Sequence, residues 1–276
     1  MPIVERTVSA KNLLSKSNLP TADYVINPYV GCSHACAYCY ASFMKRFTGH
    51  NEPWGSFIDI KQCSAPIDMH KITGKSVFLS SVTDCYNPYE QKYRLTRRIL
   101  EQLCTADCVL GISTKSDLIL RDIDLLKKCR NLTVSVSLNT LDSRFQSDMD
   151  CAAPVEARLE ALRTLHENGI RTVLFISPMF PGITDFRALI ERSRPFVDTY
   201  WFENLNLRGS YKSAILSYIY RSYPQLSELY TEIFIHKNGQ YWESLALEID
   251  SYCTARNIDF VNYFYHEKLV KGAKIS

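Results

Sequence analysis

The sequence predicts an α/β fold built on a parallel sheet, and two observations support that prediction. From Lys75 onward, apolar runs of strand length alternate with segments whose apolar residues recur at helical spacing. With the short strand before residue 28, we count about six strand–helix units, and such alternation produces right-handed βαβ units and a parallel sheet. Six units are too few for a closed eight-stranded barrel, so we expect a partial barrel or an open doubly wound sheet.

The predicted strands are short, apolar and bounded by polar or glycine-containing loops. Residues 24–27 form the first, and residues 57–61 form a brief extra strand outside the main alternation. The main strands that follow are residues 76–82, 109–114, 132–139, 171–177 and 199–205. Their β-branched and aromatic content is typical of strands.

The predicted helices first alternate with these strands and then continue alone. Residues 40–47 should form one or two turns, and the alternating helices are residues 90–104, 117–129, 154–168 and 185–195. Beyond Gly209 the pattern is helical, at residues 211–221, 225–235 and 240–255, before a last strand or cap at 258–263. We therefore expect a lead-in at residues 1–23, a partial barrel at 24–209 and a helical extension packed on it at 210–276.

Composition restricts the class of protein. A chain of 276 residues with 46% hydrophobic residues can build a sizeable core. The net charge of +3 is well below that of a dedicated nucleic-acid binder. We find no apolar run long enough to span a bilayer and no signal-peptide core at the N-terminus, so we expect a soluble cytoplasmic protein without membrane association. Ten cysteines without a repeated framework do not suggest a secreted disulfide scaffold.

Three of the cysteines lie together in the stretch NPYVGCSHACAYCY at residues 27–40. Their spacing is Cys-x3-Cys-x2-Cys, formed by Cys32, Cys36 and Cys39. Pro28 and Gly31 precede them and disfavour a helix that would place all three thiols on one buried face. Soft thiolates on one short loop are the donors that an iron–sulfur cluster needs, and a four-iron cluster normally takes four cysteines. The fourth iron would therefore be open to another ligand.

Zinc is the alternative metal. A structural zinc ion takes four ligands, and the loop offers three cysteines. His34 lies within the loop and could supply the fourth ligand only with a strained geometry. A zinc-binding interaction module without redox chemistry is therefore the rival class of function.

With Tyr38 directly before the last cysteine, the motif resembles the signature of the radical S-adenosylmethionine (SAM) superfamily. The resemblance implies a partial (β/α)6 TIM-type barrel and a [4Fe–4S] cluster on the three cysteines, with SAM chelating the open iron. It also implies an enzyme that cleaves SAM reductively to a 5′-deoxyadenosyl radical, which abstracts hydrogen from an unidentified substrate. An electron donor such as flavodoxin or ferredoxin would reduce the cluster.

Further stretches are similar to the spore photoproduct lyase-like branch of that superfamily. In that branch a tyrosine, here Tyr40, follows the last cysteine, and residues 80–90 (SSVTDCYNPYE) and 177–185 (SPMFPGITD) also resemble it. The lyase itself has a cysteine just before its "TSD" segment, where this chain has Ser81 and Val82, and Cys85 follows Asp84 instead. This departure disfavours DNA-lesion repair, which we keep as an alternative.

The resemblance also indicates which residues would surround SAM, since catalytic groups in parallel α/β folds gather at the carboxyl ends of strands. Polar side chains end the second and third main strands, and alternate polar residues of the next strand share one face. An arginine early in the following helix resembles the partner of the SAM carboxylate. The predicted cofactor-binding residues are Tyr38, Ser80, Ser81, Asp84, Thr114, Lys115, Ser135, Ser137, Asn139, Arg158 and Met179. The structural alternatives are helix capping by the Ser and Thr residues and a surface ion pair for the arginine.

Three residues are candidates for hydrogen or radical transfer. Cys85 lies in a loop predicted to face the radical site, and a thiol is a good hydrogen-atom donor; Cys151 is a second candidate. Tyr40 could relay a radical or simply pack on the cysteine loop. An inert buried cysteine is the alternative for either thiol.

Nucleic acid is a further conceivable partner. Basic clusters together with seventeen tyrosines could form a charged groove with stacking platforms. Interleaved acidic residues favour solvated helix faces instead. The clusters are Arg94, Arg97 and Arg98; Lys127, Lys128 and Arg130; and Lys268, Lys271 and Lys274.

Overall fold

A computed structural model describes residues 3–209 and 211–264 of the chain. Its strands are β1 Val4–Ser9, β2 Leu14–Lys16, β3 Tyr24–Ile26, β4 Tyr29–Gly31, β5 Phe57–Gln62, β6 Lys75–Leu79, β7 Cys108–Thr114, β8 Leu132–Ser137, β9 Arg171–Met179, β10 Thr199–Asn204 and β11 Phe260–Asn262. Its α-helices are α1 Met69–Ile72, α2 Glu90–Tyr93, α3 Leu95–Leu103, α4 Ile123–Leu126, α5 Ser143–Met149, α6 Val155–Glu167, α7 Phe186–Ser193, α8 Tyr211–Ser222, α9 Ser227–Phe234 and α10 Gln240–Ala255. Short 3-10 helices occur at Tyr40–Phe47, Asp117–Asp122, Arg194–Phe196 and Pro224–Leu226.

The main sheet confirms the predicted α/β class. Its eight strands lie in the order β11-β10-β9-β8-β7-β6-β3-β2. Every neighbouring pair is parallel except β2 with β3. Within the described residues the sheet does not close on itself, which agrees with the predicted partial barrel. Buried side chains on both faces of β8 are typical of a parallel strand that is covered on both sides.

A second, three-stranded sheet in the order β1-β5-β4 includes an N-terminal strand that the sequence analysis did not predict. Residues 1–23 were expected as a lead-in, but β1 pairs in parallel with β5, from Val4 opposite Phe57 to Ser9 opposite Gln62. The partner strand lies about fifty residues away, so local pattern could not reveal this pairing. The small sheet holds β4, which leads directly into the cysteine loop.

The helix expected at residues 90–104 is two helices. Arg94 adopts a left-handed conformation, with φ of +50°, and separates α2 from α3. The Glu90 carboxylate accepts hydrogen bonds from the backbone N–H groups of Thr96, at 2.9 Å, and Arg97, at 3.3 Å. A buried carboxylate thus pairs with backbone N–H groups at the start of α3 that would otherwise be unpaired, and these bonds offset the energetic cost of the break.

Two other helix predictions need correction. Residues 117–129 were expected as one helix and form a 3-10 helix followed by the single-turn α4. Helix α5 was not predicted; the Asp142 carboxylate caps it by accepting from the backbone N–H groups of Arg144 and Phe145, at 2.8 and 3.2 Å. Because α5 ends at Met149, it sets the position of Asp150 beside the cysteine loop.

The helical region after Gly209 is confirmed as α8, α9 and α10. Buried side chains of these helices, such as Ile215, Tyr230 and Ile249, belong to the same apolar core as the strands of the main sheet. The boundary between barrel and extension stays a prediction. The basic cluster at Lys268, Lys271 and Lys274 lies outside the described residues. Within them, no helix has the length and apolar character needed to cross a bilayer.

Candidate active site around the cysteine loop

Two close backbone approaches shape the cysteine loop. Gly31 has φ of +86°, and a Cβ there would lie 2.4 Å from the carbonyl oxygen of Phe57. Farther along, a Cβ on Gly55 would lie 2.8 Å from the Cβ of Ala35, which is itself left-handed at φ of +47°. Only glycine fits at both positions without displacement of its neighbour. The small sheet and the segment after it therefore fix where the three cysteines lie.

The other side of the loop is fastened to the chain after α5. The backbone N–H of Ala37 donates to the carbonyl of Met149 at 2.8 Å, and that of Cys151 donates to the carbonyl of His34 at 2.7 Å. These bonds join segments more than one hundred residues apart in sequence. The loop is thus held from both sides rather than being a free surface turn.

A buried ion pair reinforces this attachment. The Tyr38 hydroxyl donates to the Asp150 carboxylate at 3.1 Å, and the Arg158 guanidinium pairs with the same carboxylate. Arg158 is fully buried and also donates to the backbone carbonyls of Ala153 and Ser137. Burial disfavours the charged form of Asp150, but the charges of Arg158 and Lys115 and the hydrogen bonds from Arg158 and Gln146 together outweigh burial, so the pKa of Asp150 lies below its usual value.

All three cysteines line one cavity of about 630 Å³ near the carboxyl ends of β6 to β10. None of the three is in a disulfide. Burial raises the pKa of each thiol, to about 12 for Cys36, and the indole N–H of Trp54 donates to the sulfur of Cys39 at 3.3 Å. Such thiols stay protonated unless a bound cation replaces the proton, as metal ligation does.

The three thiols are soft donors of the kind that an iron–sulfur cluster takes. Among the described residues, no three His, Cys, Asp or Glu side chains are placed to hold one metal ion. Thiolates that each bind a different iron of a cluster need not converge on one point. His34 lines the same cavity, both of its ring nitrogens are buried without a hydrogen-bond partner in the described part of the chain, and its Nε2 lies 3.2 Å from a carboxylate oxygen of Asp84.

Asp84 organises the strand ends next to the cysteine loop. Its carboxylate accepts hydrogen bonds from the Thr114 hydroxyl and from the backbone N–H groups of Lys115 and Tyr86, each at 2.8 Å. Burial raises the pKa of this carboxyl, but nearby His34 and these donors outweigh burial, and the pKa lies below its usual value. The loop after β6 and the end of β7 are therefore locked together beside the cysteines.

The structure brings together about half of the predicted site residues. Those that line the cavity with the cysteines are Tyr38, Tyr40, Ser80, Asp84, Thr114, Lys115 and Ser137. Those that do not line it are Ser81, Cys85, Ser135, Asn139, Arg158, Met179 and the exposed Cys151.

The contacts of the second group suggest structural roles. The Ser135 hydroxyl donates to the carbonyl of Ile112 at 3.2 Å, and the Asn139 amide donates to the carbonyl of Pro178 at 3.0 Å. Ser81 accepts from Tyr40 through its carbonyl and from Asn27 through its hydroxyl. The cofactor and catalytic roles given to these residues stay predictions.

Several cavity residues were not predicted. Ser177 lies near the end of β9, beside Glu203 of β10, and the serine hydroxyl donates to the glutamate carboxylate. Phe175 and Arg208 also line the cavity. Ser80 and Thr114 were predicted because they lie at the ends of strands. Ser177 and Glu203 also lie near strand ends, so the same rule could have found them. Trp54 lies in an irregular segment and had no comparable signal.

Comparison with known proteins agrees with this geometry. Residues 26–191 match the family model of the radical SAM superfamily. An uncharacterized protein of Methanocaldococcus jannaschii is 38% identical over 223 residues, which cover 80% of this chain and 85% of that protein. A radical SAM Nalpha-GlyT isomerase of Pseudomonas phage M6 is 23% identical over 228 residues, covering 79% of this chain and 47% of the isomerase.

Solved structures share the fold. Spore photoproduct lyase, complexed with dinucleoside spore photoproduct, superposes with a TM-score of 0.56 at 16% identity, covering 80% of this chain and 66% of the lyase chain. SuiB of Streptococcus suis, bound to S-adenosylmethionine, gives 0.54 at 16% identity, covering 91% of this chain and 53% of SuiB. This chain thus spans just under two thirds of the lyase and about half of SuiB. The resemblance to the lyase-like branch is confirmed at the level of the fold. With its family match, its relative in M. jannaschii and its cysteine-lined cavity at the strand ends, the chain belongs to the radical SAM superfamily, which uses an iron–sulfur cluster and SAM.

Proposed function

We propose that this protein is a radical SAM enzyme with a [4Fe–4S] cluster on Cys32, Cys36 and Cys39. The observation that carries the proposal is that these free thiols and the polar strand ends line one cavity of about 630 Å³. This volume lies in the range of small-molecule sites, roughly 300–1,000 Å³. When bound and reduced, the cluster would supply the electron that cleaves SAM to a 5′-deoxyadenosyl radical able to abstract hydrogen from a substrate.

The chain's own residues would bind SAM and keep water from the site. Ser80, Lys115 and Ser137 have side chains at the cavity wall near the cysteines, and we assign them to SAM. Asp84 would act as a positioning residue, because its carboxylate is occupied by Thr114 and by backbone donors. Apolar side chains such as Phe175 line the same space and would help exclude water.

Polar side chains of the cavity are available to a substrate. The phage relative is an isomerase, and the structural neighbour is a lyase that binds spore photoproduct. Repair of a DNA lesion by this chain stays a prediction. Ser177 and Glu203 offer a hydroxyl and a carboxylate to a substrate in the cavity. Transfer of deuterium from candidate substrates into 5′-deoxyadenosine, measured by mass spectrometry, would identify the substrate.

The first test is reconstitution under anaerobic conditions. We expect brown protein with about four irons per chain, and dithionite with SAM should release 5′-deoxyadenosine. Cys36→Ala should lose both the iron and the product. Cys63→Ala is the matched control, because Cys63 lies away from the cavity and its thiol faces the carbonyl of Ala65. Colourless protein that carries one zinc ion, or product formation by Cys36→Ala, would refute the proposal.

A further inference from the structure

We propose that the 3-10 helix Tyr40–Phe47 is the docking site for a small acidic one-electron carrier protein of the flavodoxin or ferredoxin kind. The inference rests on the proposed function, because only a redox cluster needs such a partner. Radical SAM enzymes require a reductant, yet family membership does not say where on this chain it binds. Exposure, charge and position relative to Cys39 all point to this helix.

The helix exposes three aromatic side chains to solvent. Among the described residues, eight large hydrophobic side chains are exposed, and three of them are Tyr40, Phe43 and Phe47. Phe43 is 45% exposed and Phe47 is 67% exposed. The Arg46 guanidinium lies 4.7 Å from the centre of the Phe47 ring and 5.6 Å from that of Phe43. Aromatic residues and arginine are enriched at the centres of protein interfaces. We call Phe43, Arg46 and Phe47 the aromatic–arginine surface.

The helix that carries this surface has basic but no acidic residues. Residues 37–51 contain no Asp or Glu, whereas Lys45 and Arg46 occupy the last turn of the helix. The next acidic residue, Glu52, is paired with His50 at 2.9 Å. Complementary charge steers a partner to its site, so an acidic partner fits this surface. Redox complexes are transient and bury less than about 1,200 Å² in total. A short helix can form the centre of an interface of that size.

The surface lies close to the cluster loop. The helix begins at the residue after Cys39, and the backbone N–H of Ser42 donates to the Cys39 carbonyl at 3.2 Å. At about 2.0 Å of rise per residue, Phe47 lies no more than ~16 Å along the axis from Cys39. Half-buried Trp54 touches the Cys39 sulfur through its indole N–H. A donor on this helix would therefore have a short route to the thiolate ligand.

The position also separates an electron donor from a substrate. Tyr40 and Phe43 border the cavity, but Arg46 and Phe47 do not. A substrate must bring its reacting carbon inside the cavity, whereas a carrier need only approach the cluster. In the reaction, the carrier is oxidised by one electron and the cluster is reduced by one, and no atoms are exchanged. Single-stranded nucleic acid is the other ligand that stacks on exposed aromatics beside arginine, and the test includes it.

The test uses the double variant Arg46→Glu/Phe47→Ala in the full-length protein. The matched control is Arg221→Glu/Leu247→Ala, which alters an exposed arginine and an exposed leucine elsewhere. Oxidised flavodoxin should bind wild type and control alike by biolayer interferometry, and the surface variant about tenfold or more weakly, within the range of interface mutations. With reconstituted protein, flavodoxin hydroquinone should bleach the cluster more slowly in the surface variant, whereas dithionite should act equally on all three proteins.

Other outcomes would refute either the docking site or the proposed radical SAM function, and the two failures are distinguishable. Equal binding of flavodoxin to wild type and surface variant would refute docking at this helix, as would an equal loss in the control. Loss of affinity for a fluorescent single-stranded oligonucleotide, with flavodoxin binding unchanged, would assign the surface to nucleic acid. If dithionite and SAM yield no 5′-deoxyadenosine from wild type, the proposed function fails, while the binding measurement still decides the docking site.

Discussion

The Tyr38 hydroxyl donates to the Asp150 carboxylate at 3.1 Å, across 112 residues of sequence. Asp150 is buried and is also held by Arg158 and by the amide of Gln146. The middle of the cysteine loop therefore depends on an ion pair formed between the end of α5 and the start of α6. Removal of that pair should change both stability and the retention of a cluster.

Arg158→Met tests the ion pair. The substitution removes the partner of the buried Asp150 carboxylate. We expect the free energy of unfolding, measured in urea, to be about 3–5 kcal/mol lower than in wild type. Arg192→Met is the control, because Arg192 pairs with Glu156 at 3.0 Å on an exposed surface, where a pair contributes up to about 1 kcal/mol. An Arg158→Met protein of wild-type stability that has lost SAM binding would instead support the SAM-carboxylate role predicted from the sequence.

The same pair makes stability depend on acid pH. The pKa of Asp150 lies below the usual 3.8, so the ionised group stabilises the fold above that pH, and this contribution is lost as pH falls through the lowered pKa. Asp150→Asn should be less stable than wild type at neutral pH. The difference in melting temperature should narrow as the pH falls below about 4, because the carboxyl takes up a proton in the unfolded state there but in the folded state only near its lowered pKa. A difference that is constant with pH would show that the carboxylate charge contributes nothing.

Local patterns predicted the parts of the site that depend on short sequence distances. The spacing of Cys32, Cys36 and Cys39 is local, and the grouping of Asp84 with Thr114 follows from the rule that parallel strand ends meet at one edge of a sheet. The alternation of strands and helices likewise predicted that the main sheet is parallel. These features need no knowledge of which distant residues touch.

The features that were missed depend on distant contacts. Arg158 lies on an amphipathic helix, and its sequence neighbours do not reveal that it is fully buried against Asp150. Strand β1 pairs with β5, and Trp54 reaches Cys39 from an irregular segment. In each case the partner is set by tertiary packing, which overrides local propensity. The helix breaks at Arg94, which is left-handed, and the buried Glu90 carboxylate stabilises the break by accepting a hydrogen bond from the backbone N–H of Thr96.

Gly31→Ala should displace the start of the cysteine loop. A Cβ there would lie 2.4 Å from the Phe57 carbonyl oxygen, in addition to the cost of a left-handed conformation. Gly49→Ala is a matched control, because Gly49 is also left-handed, at φ of +60°, but a Cβ there would meet nothing within 4 Å. We expect the control to lose about 1 kcal/mol of unfolding free energy and Gly31→Ala to lose more, together with bound iron. Equal losses in the two variants would show that the contact with Phe57 is relieved at no cost.

Trp54→Phe should alter the reduction potential of the cluster without removing a ligand. The indole N–H donates to the Cys39 sulfur at 3.3 Å, and a hydrogen bond to sulfur favours the more negative, reduced state. If the bond stabilises that state by about 1 kcal/mol more than the oxidised one, its loss lowers the potential by roughly 40 mV for one electron. Trp201→Phe is the control, because Trp201 packs on Phe175 and Tyr263 rather than on a cysteine. Redox titration of reconstituted protein, followed by electron paramagnetic resonance, measures the shift. A potential that is unchanged or raised in Trp54→Phe would mean that this N–H does not act on the cluster.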